Sequence, residues 1–215
     1  HNTFFEENAL NPMAFRSLQK LERDVVAMAA SLFHGDDDAC GTMTSGGTES
    51  LLLAVKTARD FARARRPWIR KPEMVLATTA HVAFDKAAHY FGVRIRRARV
   101  DDGQRVDVAH VRRLVNKNTI LVVASAPQYP HGVVDPVADV AAIAKRAGAL
   151  CHVDACVGGF SLPFLERLGR PISPWDFRVD GVTTISADLH KFGYAAKGAS
   201  VIVHRSKDTL AHQMF

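Results

Sequence analysis

Three stretches of the chain place reactive side chains beside turn residues. The first is Thr44-Ser45-Gly46-Gly47-Thr48-Glu49-Ser50. Its two glycines permit close backbone approach. The N–H groups that follow, with the hydroxyls of Ser45, Thr48 and Ser50, could hold a phosphate at a helix N-terminus. It lacks the Gly-Lys-Ser/Thr of a P-loop and is not a Gly-x-Gly-x-x-Gly turn. An ordinary helix start capped by Ser45 or Thr48 fits the same residues. The second stretch is His152-Val153-Asp154-Ala155-Cys156, at the end of an apolar run. A carboxylate there is costly unless it is hydrogen-bonded or paired with a cation. Asp154 suits either a cap in a loop or a partner for a buried cationic ring. Spacing of two sends His152 and Asp154 to the same side of a strand. Two such groups are too few for a metal site, and none is expected. The third stretch is Ser186-Ala187-Asp188-Leu189-His190-Lys191-Phe192-Gly193-Tyr194. Desolvation beside aromatics would lower the pKa of Lys191 and make it a nucleophile toward carbonyls. The plain alternative is a surface lysine. His81, at the head of a helical pattern, reads as a cap or a partly buried ring and gains interest from its place after an apolar run.

These groups need a frame, and the hydrophobic pattern supplies one. Residues 12–33 carry Phe15, Leu18, Leu21, Val25, Met28 and Leu32 at spacings of three and four, the signature of an amphipathic helix. Strand-like runs at 74–79, 93–100, 119–125, 149–154, 181–186 and 199–204 are separated by helical patterns at 50–64, 81–91, 106–115 and 136–147. Continuous apolar strands alternating with helices predict an α/β fold, a mostly parallel sheet with helices on both faces. Ligands of such sheets sit beyond the carboxyl ends of strands, so the positions after 44, 79, 125, 154 and 186 are where chemistry is expected.

The 215 residues carry 28 Lys+Arg against 22 Asp+Glu, a net charge of +6, with 47% hydrophobic and 23% charged residues. Disordered, collagen-like and low-complexity chains are excluded by that balance. Cys40, Cys151 and Cys156 form no Cys-x-x-Cys pair and no disulfide framework, which predicts a reducing, cytoplasmic setting and no structural zinc. No apolar run approaches the length of a membrane span. Basic residues gather at 63–71 and 94–99, but no nucleic-acid-binding module accompanies them, and no nucleic-acid partner is expected. The chain starts at His1 and stops at Phe215 just after a strand-like run, so an excerpt of a longer protein is expected.

Taken together, TSGGTES (44–50), HVAFDKA (81–87), PHGVVDP (130–136), HVDACVGGF (152–160) and SADLHKFGYAAKG (186–198) resemble the sphingosine-1-phosphate lyase family. That family belongs to the fold-type I enzymes that use pyridoxal 5'-phosphate (PLP), and shares its glycine motif and His-Lys pair with the group II amino-acid decarboxylases. The resemblance implies a PLP-binding large domain over 41–215, a helical segment over 1–40, and a C-terminal small domain beyond. It implies that Lys191 carries PLP as a Schiff base and that Asp154 pairs with the protonated pyridine nitrogen. His81 would stack on one ring face with Cys156 on the other. Gly47, Thr48 and His190 would bind the cofactor phosphate, and Lys197 would serve the substrate side. Asn11 stands where the family pattern has a substrate-phosphate-binding His, and Ala196 replaces a Pro. The implied reaction is retro-aldol cleavage of a phosphorylated sphingoid base to a long-chain aldehyde and phosphoethanolamine, in a homodimer with a shared active site. A PLP-dependent amino-acid decarboxylase is the alternative within enzymes. A nucleotide-binding or structural α/β module without covalent chemistry is the alternative outside them.

Overall fold

The computed structural model describes residues 15–214. Arg16–Leu32 (α1) leads into Cys40–Thr44 (β1) and Gly47–Arg65 (α2). Glu73–Ala77 (β2), Ala83–Phe91 (α3), Arg94–Ala98 (β3), Val108–Leu114 (α4), Thr119–Ser125 (β4), Val137–Arg146 (α5) and Leu150–Asp154 (β5) then alternate regularly. Leu162–Arg167 (α6), Thr184–Ala187 (β6), Ser200–His204 (β7) and Lys207–Ala211 (α7) complete the order. No helix among the described residues is long and apolar enough to cross a membrane.

One seven-stranded sheet has the order β1-β7-β6-β5-β4-β2-β3. The pairs β3–β2, β2–β4, β4–β5 and β5–β6 are parallel, whereas β7 is antiparallel to both β6 and β1. β1 therefore runs the same way as the parallel strands, and β7 alone is reversed. The carboxyl ends of β1, β2, β4, β5 and β6 share one edge of the sheet with the start of β7. The segment between β6 and β7 leaves that edge and returns to it, which keeps residues 188–199 beside the glycine loop.

Alternation along each strand divides the core into two layers. Val75 and Ala77 of β2, with Val122 and Ala124 of β4, pack under α1, α4 and α5 on one face. Met74 and Leu76, with Leu121 and Val123, pack under α2 and α3 on the other. His152 and Asp154 alternate with Cys151 and Val153 of the first layer, so both point to the α2/α3 side, as their spacing requires. α3 ends at Gly92, whose left-handed φ of 65° is cheap only for glycine.

The inward face of α1 differs from the expected stripe. Val26, Ala29, Ala30 and, just beyond the helix, Phe33 are buried, whereas Leu21 is 45% and Met28 65% exposed. Alanines let the helix backbone approach β1 and β7 closely, which turns the larger side chains outward.

Candidate active site

The shared strand edge holds a cavity of about 600 Å³. Gly47, Thr48, His81, Asp154, Cys156, His190 and Lys191, brought from four separate parts of the sequence, all line it, and Lys197 lies at its wall. Asn11 lies outside the described residues.

The glycine loop enters α2 at Gly47. Gly46 is the N-cap residue and offers no side-chain cap, so the expected capping role of Ser45 or Thr48 is not the one observed. Instead the backbone N–H and hydroxyl of Ser45 donate to Glu49 Oε2 at 2.6 and 2.7 Å. The expected role of Ser50 as a phosphate donor is also corrected. Its hydroxyl is buried, 2.7 Å from Thr44 Oγ1 and 3.2 Å from Ser200 Oγ, and so ties α2 to β7. Thr48 and the first turn of α2 line the cavity, where the helix dipole favours an anion. A Cβ on Gly47 would lie 2.8 Å from Cys156 Sγ and 2.9 Å from both carboxylate oxygens of Asp188. Any side chain there would fill the space between loop and cavity floor.

Asp154 ends β5 and is buried. Its Oδ1 accepts the Cys156 N–H at 3.1 Å, and among the described residues it makes no ion pair. Burial raises its pKa, only partly offset by the Cys156 hydrogen bonds and the charges of His81 and Lys191. Burial, with the negative charges of Asp154 and Asp188 behind it, likewise pushes the Cys156 thiol well up. His81 begins the turn into α3, where its Nδ1 accepts the Ala83 N–H at 3.1 Å, so the capping reading holds while the ring faces the cavity. Tyr129 meets that ring edge-on at 5.4 Å between centroids.

Lys191 departs from the expected lowered pKa. Burial does work against the ammonium, but the hydrogen bond and charge of Asp188, followed by Cys156 and Asp154, outweigh it, and the pKa is raised. The Nζ–Oδ2 distance to Asp188 is 2.8 Å. Asp188 is the site residue that sequence reasoning passed over. It lies in the same motif, three positions before Lys191, and that spacing in a turn was the available signal. Tyr129 was passed over for lack of any local pattern.

A glycine-opened helix start, a buried carboxylate wanting a cation, an imidazole and a lysine thus converge at one sheet edge. The Pyridoxal-dependent decarboxylase conserved domain matches residues 7–215. Sphingosine-1-phosphate lyase 1 of Mus musculus is 49% identical over all of this chain, which spans 38% of that protein's length. A probable L-tyrosine/L-aspartate decarboxylase of Methanothermobacter thermautotrophicus is 38% identical over 96% of the chain and 55% of that protein. The solved sphingosine-1-phosphate lyase of Burkholderia pseudomallei superposes with a TM-score of 0.95 at 43% identity, covering 100% of this chain and 51% of that one. The expected fold-type I architecture is the one observed, and the chain belongs to the pyridoxal-dependent decarboxylase family.

Proposed function

We propose that these residues are the cofactor-binding part of a PLP-dependent aldehyde-lyase that cleaves phosphorylated sphingoid bases, of the sphingosine 1-phosphate type, to a long-chain aldehyde and phosphoethanolamine. The observation that carries this reading is the cavity that Lys191 and Asp154 both line, Asp154 being a buried carboxylate with no ion pair among the described residues. A protonated pyridine ring would supply the partner charge, and the absence of a side chain on Gly47 keeps the loop clear of Cys156 and Asp188 on the cavity floor. Identities of 44–49% to seven sphingosine-1-phosphate lyases, against 38% to the amino-acid decarboxylase, favour carbon–carbon cleavage over decarboxylation.

When bound, PLP supplies an electron sink for the carbanion that cleavage leaves on the amine carbon. The chain's own residues have four tasks. Lys191 offers its Nζ as the covalent anchor. Asp154 would hold a proton at the ring nitrogen, which would keep the sink effective. His81 and Cys156, both at the cavity, would confine the ring. The N–H groups of Gly47 and Thr48 at the start of α2, with His190, hold the phosphate. Lys197, exposed at the cavity wall, suits an anionic substrate group. A second copy would cover the exposed Leu21 and Met28 and the aromatic side chains of Phe192 and Tyr194, 51% and 90% exposed, giving a homodimer with a shared site. The three free thiols suit a reducing cytoplasm.

Borohydride reduction of the full-length holoenzyme, followed by peptide mapping, is expected to leave the cofactor on Lys191. Lys191→Ala is expected to abolish both that adduct and turnover. Turnover retained with normal cofactor content overturns the assignment. Release of aldehyde from a phosphorylated sphingoid base, without carbon dioxide from amino acids, separates the lyase from the decarboxylase.

A further inference from the structure

Asp188 is more buried than any other charged group lining the cavity, at 3% exposure, and it faces inward from the turn that also carries Lys191. Its two oxygens have separate duties. Oδ1 accepts the Ser200 hydroxyl at 2.5 Å, and that hydroxyl continues a buried chain through Ser50 to Thr44. Oδ2 accepts from Lys191 Nζ at 2.8 Å. The carboxylate is thus anchored on β7 and α2 and offers its free oxygen to one amine. His190 lies on the other side of it, with Nε2 3.7 Å from Oδ2. The Ala199 N–H donates to His190 Nδ1 at 3.2 Å, which leaves Nε2 as the ring nitrogen free to face another group, and at 3.7 Å it makes no hydrogen bond to Asp188.

We propose that Asp188 is a positioning residue for Lys191: a buried counter-ion that holds the amine at the cavity wall as an ammonium until the amine is engaged. This rests on the reading of Lys191 as the cofactor-bearing lysine. An amine attacks a carbonyl carbon only after losing a proton, so the group that stabilises the ammonium also sets how readily the nucleophile forms. Asp154 and Cys156 add charge effects without a hydrogen bond to the amine. His81, His190, Glu49 and Lys197 also line the cavity, and none of them is among the groups that shift Lys191. Among the described residues, Asp188 is therefore the group that both charges and aims Nζ.

The test is the pH dependence of Lys191 labelling by trinitrobenzenesulfonate in the full-length, cofactor-stripped protein, followed by mass mapping. Asp188→Asn keeps an acceptor for Ser200 and removes the charge. It is expected to shift the labelling midpoint to lower pH, with Lys191 reacting about tenfold faster at pH 8. Ser200→Ala leaves the carboxylate but removes a donor that competes for its charge, so its midpoint is expected to move the other way. Equal midpoints for Asp188→Asn and the unaltered protein, or shifts of the same sign in both variants, overturn the counter-ion role. Borohydride trapping run alongside keeps the two readings apart. A lowered midpoint with the adduct on another lysine retains the Asp188–Lys191 pair and overturns the cofactor assignment.

Discussion

Two buried carboxylates at opposite edges of one sheet meet opposite fates. Glu73 opens β2 and is 4% exposed; Asp154 closes β5 and is 8% exposed. Around Glu73 the chain supplies Asn116 Nδ2 at 2.8 Å, Arg96 at 3.2 Å and Arg94 at 3.7 Å. Burial pushes its pKa up, but those partners outweigh it and the net shift is down. Around Asp154 the described residues supply Cys156 and only distant positive charge, so burial prevails and the net shift is up. Equal burial, then, does not decide the state of a carboxylate; its partners do. The Glu73 edge is complete within the chain. Among the described residues the Asp154 edge has no such partners, and the proposed cofactor site rests on that contrast.

The sharpest way to break the contrast is to neutralise each carboxylate in turn in the full-length protein. Asp154→Asn keeps an acceptor for the Cys156 N–H and removes the charge. Turnover is expected to fall by about 10²–10³-fold, the usual scale for one preorganised electrostatic partner. Cofactor affinity, measured by fluorescence titration, is expected to fall much less, and thermal stability to hold. Equal losses in rate and affinity would remove the electron-sink role. Glu73→Gln is expected to do the reverse, leaving the cofactor spectrum and turnover intact while costing about 2–3 kcal/mol in denaturant unfolding. That cost is moderated because the Arg96 and Arg94 side chains are 37% and 69% exposed. A loss of turnover in Glu73→Gln without loss of stability would erase the distinction between the two edges.

Much of this was legible along the chain, for identifiable reasons. Thr119–Ser125 is a strand with the expected bounds because it is apolar throughout and buried on both faces. Gly92 ends α3 because the αL position has few other occupants. The direction of β7 was not legible. Its run reads like any buried strand, and only the tight return of 188–199 to the site edge reverses it. α6 and α7 were hidden by being six and five residues long, too short for a period to emerge. In the site, residue types located the cavity, but pairings were beyond reach. The sense of the Lys191 shift depends on a carboxylate three residues away whose direction only the folded turn determines. The role of Ser50 depends on Ser200, brought alongside it by sheet order.

Buried histidines extend the contrast to groups kept neutral. His152, two residues before Asp154, is bonded to Thr184 Oγ1 at 2.8 Å and Ser186 Oγ at 3.1 Å, and burial lowers its pKa to about 3. His204 on β7 pairs through Nε2 with Gln213 Oε1 at 2.8 Å, while its buried Nδ1 has no hydrogen-bond partner among the described residues. Burial takes its pKa to about 4, against the weaker pull of Gln213. Both therefore stay neutral in the fold across a range where the unfolded chain, with histidine pKa near 6.5, takes up protons. The stability they contribute is fully present above about pH 6.5, declines as pH falls toward the folded values, and levels off below them. Between pH 6 and pH 5 the two together are expected to cost about 2 kcal/mol of unfolding free energy. His204→Gln can still donate to Gln213 and has nothing to titrate. Its pH 6 to pH 5 loss is expected to be smaller than that of the unaltered protein by about 1 kcal/mol. An unchanged slope would mean that His204 carries a proton in the fold despite its burial. The neutral pattern would then fail on β7, and the rule that partners rather than burial set the charge would have to extend to histidine, with Gln213 as the partner that decides.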